Sequence, residues 1–140
     1  MMLLVGLLLV CPAEGATTEE DARRCTRLFG QALTTGKAEI LRQILPGRGK
    51  VHVVLTRFGP EEGFFGSGQV EALIGNFLAE ATVRSFEVIR LESDGQSSAL
   101  IHGRAVLTDR QGRPGRVKIH LSFEPEDARW VLREIKEAIE

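Results

Sequence analysis

Few residues in this sequence have chemistry that could be put to work: three histidines, one arginine close to one of them, and scattered carboxylates. His102 and His120 each interrupt an otherwise apolar run (ALIHGRAVL and VKIHLSF), and Arg104 stands two residues after His102. A neutral imidazole takes up a proton near pH ~6.5, so a histidine in a dry pocket beside an arginine is equipped to serve as general base in a small lyase or isomerase. His102, Arg104 and His120 are accordingly the candidate ligand-binding residues. The ordinary alternative places both histidines on the solvated face of a sheet. Carboxylates are less well placed. Asp94, Asp109 and Asp127 fall in turn sequences and Asp21 at a helix start, while Glu87 and Glu134 fit the wet side of their strands. His52, His102 and His120 form no H-x-H or H-x-x-x-H pair, whereas a structural zinc site needs about four ligands at close spacing. No metal, other cofactor or catalytic residue is assigned.

The two histidine-bearing runs belong to residues 83–137, where four stretches rich in Val, Ile, Leu and Phe are separated by turn chemistry. The separators are Ser93-Asp94-Gly95, Gln111-Gly112-Arg113-Pro114 and Glu124-Pro125-Glu126-Asp127, with no room for helices between them, which predicts an antiparallel meander. Register then decides the site. One register sets His102 opposite His120 and turns Ile101, Ala105 and Leu107 inward. A slip of one residue sets His102 opposite Leu121 and turns His102 and Arg104 inward. The first buries the more apolar set and is favoured. Trp130 opens the last run, as a packing residue or as an interface anchor.

A sheet with one apolar face must be covered, and the preceding half of the chain supplies the cover. Residues 1–11, MMLLVGLLLVC, are too short to span a bilayer as a lone helix. Pro12-Ala13-Glu14-Gly15 follows with small residues at signal-peptidase spacing, so 1–15 reads as a secretory signal peptide and 16–140 as a single domain, secreted or periplasmic. Thr17 and Glu20 fit a capping box opening a helix to about residue 33, with Ala22, Cys25, Leu28, Phe29, Ala32 and Leu33 on one face. Cys25 reads as a core residue. Gly36 stops that helix, and residues 37–45 read as a second, shorter one ended by Pro46-Gly47. Residues 50–57 alternate as a strand, and 58–66 read as a loop carrying the Phe64-Phe65 pair. Ser67 is the expected cap of a third helix to about residue 81, whose stripe of Val70, Leu73, Ile74, Phe77 and Leu78 is the clearest in the chain.

A length of 140 residues suits one core, and a formal net charge of −1 supplies no global field to recruit nucleic acid or an acidic membrane. Arg110, Arg113, Arg116 and Lys118 make a basic hairpin tip, but without interleaved aromatics it is no nucleic-acid surface. The expected partner is a small molecule or a protein, with a homodimer through the sheet as a further arrangement. No nucleic acid is expected, and no membrane once the leader is removed.

This order of elements resembles the nuclear transport factor two-like superfamily, the cystatin-like cone fold. More narrowly it resembles an uncharacterised bacterial family of short exported domains within that superfamily. The matching pieces are LTTGKAEILRQIL, GFFGSGQVEALIGNFLAE, VRSFEVIRL, ALIHGRAVLTDRQGRPGRVKIHLSF and RWVLREIKE, spanning residues 33–137. Phe77, Ser85-Phe86-Glu87-Val88, Gly103 and Trp130 carry the resemblance most specifically. It implies an α+β fold: two N-terminal helices, one strand, a third helix, then a curved four-stranded antiparallel meander forming a cone. It also implies a cavity between sheet and helices, and dimers through the open face. The superfamily includes isomerases, dehydratases, cyclases and binding domains, so fold alone does not choose. Tyr is absent, so a tyrosine oxyanion donor of the steroid-isomerase kind has no counterpart. The reading is an exported non-catalytic binding domain, taking a small apolar ligand or a protein partner in the cone or on the sheet face. A lyase or isomerase with a pocket histidine and a homodimerising association module are the alternatives.

Overall fold

The computed structural model describes residues 18–56, 61–94 and 97–139. The leader at 1–15, Thr17 of the expected capping box, Arg57 of the expected strand and residues 58–60 of the expected loop lie outside the described residues.

Helix α1 (Thr18–Thr35) opens with Glu19, Glu20 and Asp21, carboxylates that suit the positive end of the helix dipole. Its Ala22, Cys25, Phe29, Ala32 and Leu33 recur at helical spacing and are all buried. Gly36 stops it by taking a left-handed φ of 72°. The Lys37 N–H then donates to the Ala32 carbonyl at 3.0 Å, closing the helix end. The expected second, shorter helix is there, wound as a 3-10 helix (Ala38–Gln43) between Gly36 and Pro46. It still points Leu41, Ile44 and Leu45 into the core.

Strand β1 (Val51–Leu55) is followed by a strand where a loop was expected, β2 (Glu61–Phe65). The two pair antiparallel, Val51 with Phe65 through Leu55 with Glu61. Helix α2 (Ser67–Glu80) buries Val70, Ile74 and Phe77. Its N-cap is Gly66, one residue before the expected Ser67. The Gly66 N–H is held by Gln69 Oε1 at 2.9 Å, which frees the Ser67 hydroxyl to donate to the Pro46 carbonyl at 2.6 Å.

The meander is β3 (Ala81–Ser93), β4 (Ala99–Asp109), β5 (Pro114–Glu126) and β6 (Arg129–Ile139). The four expected strands are there, but they are part of a six-stranded mixed sheet in the order β2-β1-β6-β5-β4-β3. β1 lies parallel to β6, His52 beside Glu134 through Val54 beside Lys136. The cause is local: Val51 and Val53 face the core with no exposed surface, and β6 offers the only meander edge that β1 and its hairpin partner take up. Bulges at Val83/Ser85 and Val88/Arg90 of β3, and a shift at Ser122/Phe123 of β5, bend the sheet around the helices. At Gly103 a Cβ would stand 2.7 Å from the Phe86 ring, so the Phe86 side chain lies across a strand position that only glycine leaves open.

Candidate functional site

Between the sheet and the helices, Phe29, Leu33, Ile74, Phe77, Ile119 and Ile135 close in on a cavity of about 20 Å3. That is room for one water, since a water needs about 10–15 Å3 of such space. One titratable side chain lines it: Glu137, 5% exposed. Its carboxylate accepts from the Thr56 backbone N–H and the Thr56 hydroxyl, each at 3.2 Å. Sequence reasoning missed Glu137. The signal was strand alternation, because Ile135 faces the core and a residue two positions on must share its face.

His102, Arg104 and His120 lie on the other side of the sheet. His102 pairs directly with His120, the register that turns Ile101, Ala105 and Leu107 inward, and these three are at most 2% exposed. The two imidazoles meet edge to face with centroids 4.5 Å apart. His102 Nε2 sits 3.0 Å from Glu92 Oε2 and 3.1 Å from an Arg90 guanidinium nitrogen. Protonated, that nitrogen donates to Glu92; bare, it accepts from Arg90. Arg104 reaches Glu87 at 3.6 Å. Partial burial, then the neighbouring His102, Lys136, Lys118 and Arg90, push the His120 pKa below its usual value. His120 thus sits among cationic side chains on the open face, while Glu92 faces His102. Neither ring lines the inner cavity.

Elsewhere on that face His52 Nδ1 lies 2.8 Å from Glu134 Oε2 and the ring stacks on exposed Phe64 at 4.7 Å. Trp130, the interface candidate, is half-buried against the core, and its carbonyl accepts from the Cys25 thiol at 3.7 Å. Burial pushes the Cys25 pKa up to about 11, which keeps the thiol protonated and inert.

A larger space, a groove of about 600 Å3, lies between α1 and the edge strand β3. Arg23, Arg27, Gln31 and Thr34 line the helix side, and Phe86, Val88 and Leu91 line the strand side. Phe86 also packs edge to face on Phe29 at 5.5 Å, so this aromatic pair is the wall between the groove and the inner cavity. One further carboxylate is strongly held. Glu126 accepts from the Gly47 N–H at 2.8 Å and the Arg48 N–H at 3.2 Å, and Arg133 stands 3.2 Å away. Those N–H bonds hold its pKa below the usual carboxylate range. Glu126 ties the segment after the 3-10 helix to the end of β5, a structural role.

The sequence matches no family model and no curated protein. Solved structures do match in shape. A DUF4783 family protein from Bacteroides uniformis is 16% identical with a TM-score of 0.68, covering 81% of this chain and 95% of its own. A protein with a cystatin-like fold from Caulobacter vibrioides is 14% identical with a TM-score of 0.66, covering 87% and 89%. An epoxide hydrolase from M. tuberculosis is 16% identical with a TM-score of 0.60, covering 86% and 79%. A curved sheet closed over a small apolar interior by two α-helices and a 3-10 turn is, on these matches, the nuclear transport factor two-like, cystatin-like cone fold.

Proposed function

We propose that the protein is a non-catalytic binding domain, exported by its N-terminal leader, whose ligand contacts lie outside the cone in the groove between α1 and β3. The distribution of space carries this reading. Small-molecule sites are usually about 300–1,000 Å3; the inner cavity offers about 20 Å3 and the groove about 600 Å3. Glu137, the one carboxylate facing the interior cavity, has no room for a substrate beside it and is already committed to Thr56.

A second reading rests on the His102–His120 contact, with Glu92, Arg90 and Arg104 around it. It is a polar docking point on the open face for a ligand or protein, and the place where a lyase or isomerase base would have to be sought. An open, partly solvated surface lacks the dry surroundings that general-base catalysis exploits, so binding is favoured over turnover. Self-association across the same patch would have to set Lys118 and Lys136 against the carboxylates of a second copy, since Arg90 is already paired with Glu92 at 2.8 Å.

The test is a titration of the isotopically labelled protein with the neutral apolar dye Nile red. Saturable binding with amide shifts along the outer side of α1 and at residues 86–91, lost in Val88→Gln, is the expected result. Shifts centred instead on Ile119, Ile135 and Glu137 would sink the groove in favour of the cone.

A further inference from the structure

We infer that the groove takes a free long-chain carboxylate, its head on Arg27 and its alkyl chain along Phe86, Val88 and Leu91; this rests on the groove being the binding site. Arg23, Arg27 and Gln31 follow one another at four-residue steps along the helix side of the groove, with Thr34 just beyond. At ~1.5 Å per residue the helix face from Arg23 to Thr34 is ~16 Å long, a slot shaped for a chain and not for a compact ring. Two of these polar groups are occupied. Arg23 is ion-paired to Glu19 at 2.8 Å, and the Thr34 hydroxyl donates to the Gly30 carbonyl at 2.9 Å. Arg27 is exposed, and no carboxylate among the described residues pairs with it. No acidic side chain lines the groove among the described residues, so its field favours an anion over a cation.

The strand side is apolar and uncovered. Val88 is 44% exposed, and Val88 and Ile89 are two of the three large hydrophobic side chains exposed among the described residues. Phe86 is seated against the helix because Gly30 has no side chain, its ring 3.0 Å from where a Cβ would be. A strip of hydrocarbon with one free guanidinium beside it matches an amphipathic anion at both ends. An added peptide strand fits less well. The Val88/Arg90 bulge interrupts the regular ladder along this edge that a docking strand would have to continue.

The experiment compares decanoate and decyltrimethylammonium, each below its micelle concentration, with decanol below its solubility limit, by heteronuclear NMR titration of the labelled protein. Decanoate should bind about fivefold or more tighter than decanol, the scale of one exposed charge contact. The cationic probe should bind weakest. Arg27→Gln should bring decanoate down to the level of decanol while leaving decanol unchanged, and Val88→Gln should weaken both. Phe64→Ala, on the exposed aromatic of β2, should change neither. Equal binding of decanoate and decanol in the groove, or loss of no affinity in Arg27→Gln, overturns the carboxylate assignment while the groove stands. Absence of groove shifts with any of the three probes removes the groove itself.

Discussion

Glu126 is a buried carboxylate whose charge holds two backbone N–H groups and Arg133 in place. Because its pKa is lowered on folding from an ordinary 4.5, its contribution is fully present above that value and lost as the pH falls below it. Glu126→Gln should therefore lower the melting temperature at neutral pH and make the remaining acid unfolding less steep, read by thermal melts from pH 7 downward. An acid limb as steep as that of the parent would show that other carboxylates carry it. Gly103 makes a different kind of prediction. Gly103→Ala drives a methyl into the Phe86 ring and should cost about 1–3 kcal/mol, a loss that Phe86→Leu partly restores in the double variant. Additive losses in the denaturant melts would mean that the two residues do not compete for one space. At this scale the sequence was legible where a residue's type matched its surroundings. Gly103 and Phe86 stood out as a glycine within a strand and a phenylalanine in a strand opening, though not as residues that share one space. Glu137 did not, because a charged residue near the end of a run reads as solvated until the register of Ile135 is known.

Strands and helices were readable in proportion to their internal pattern. The meander emerged because each turn carries its own chemistry. Asp109 accepts from the N–H groups of Gln111 and Arg113 at 2.9 Å each, and Gly112 takes a φ of 80°, so the hairpin fixes the His102–His120 register. β2 was hidden because EEGFF does not alternate, and only pairing with β1 makes it a strand. The second helix was legible but its type was not, because Ile40, Leu41, Ile44 and Leu45 satisfy a 3-10 turn as well as an α-helix. The open face of β4 and β5 brings its own pH dependence. His120 is held below its usual pKa, so the unfolded chain binds the proton more readily, and stability falls as the pH drops through the ordinary imidazole range. His120→Asn should narrow the gap in melting temperature between about pH 7 and pH 5.5. An unchanged gap would assign that loss to another group.

The whole molecule is a sheet with strong middle strands and thin margins. β6, β5 and β4 have neighbours on both sides, whereas β2 is a five-residue edge and the outer part of β3 is mostly exposed. Amide exchange should be slowest in β4, β5 and β6, faster in β2, and fast in residues 88–93. Protection of residues 88–93 equal to that of β5 would mean that something already covers the groove edge.

The parallel neighbour of β1 has a consequence for how the chain is made. β1 is hydrogen-bonded to β2 and to β6, and β6 is the final eleven-residue strand, with the Leu132 N–H also reaching back to the Ile44 carbonyl at 2.7 Å. Until those residues leave the ribosome, β1 and β2 are a lone hairpin, which water does not stabilise. β1 and β2 therefore take their places in the sheet only after residues 129–139 have been made, so this side of the sheet closes after the meander that precedes it.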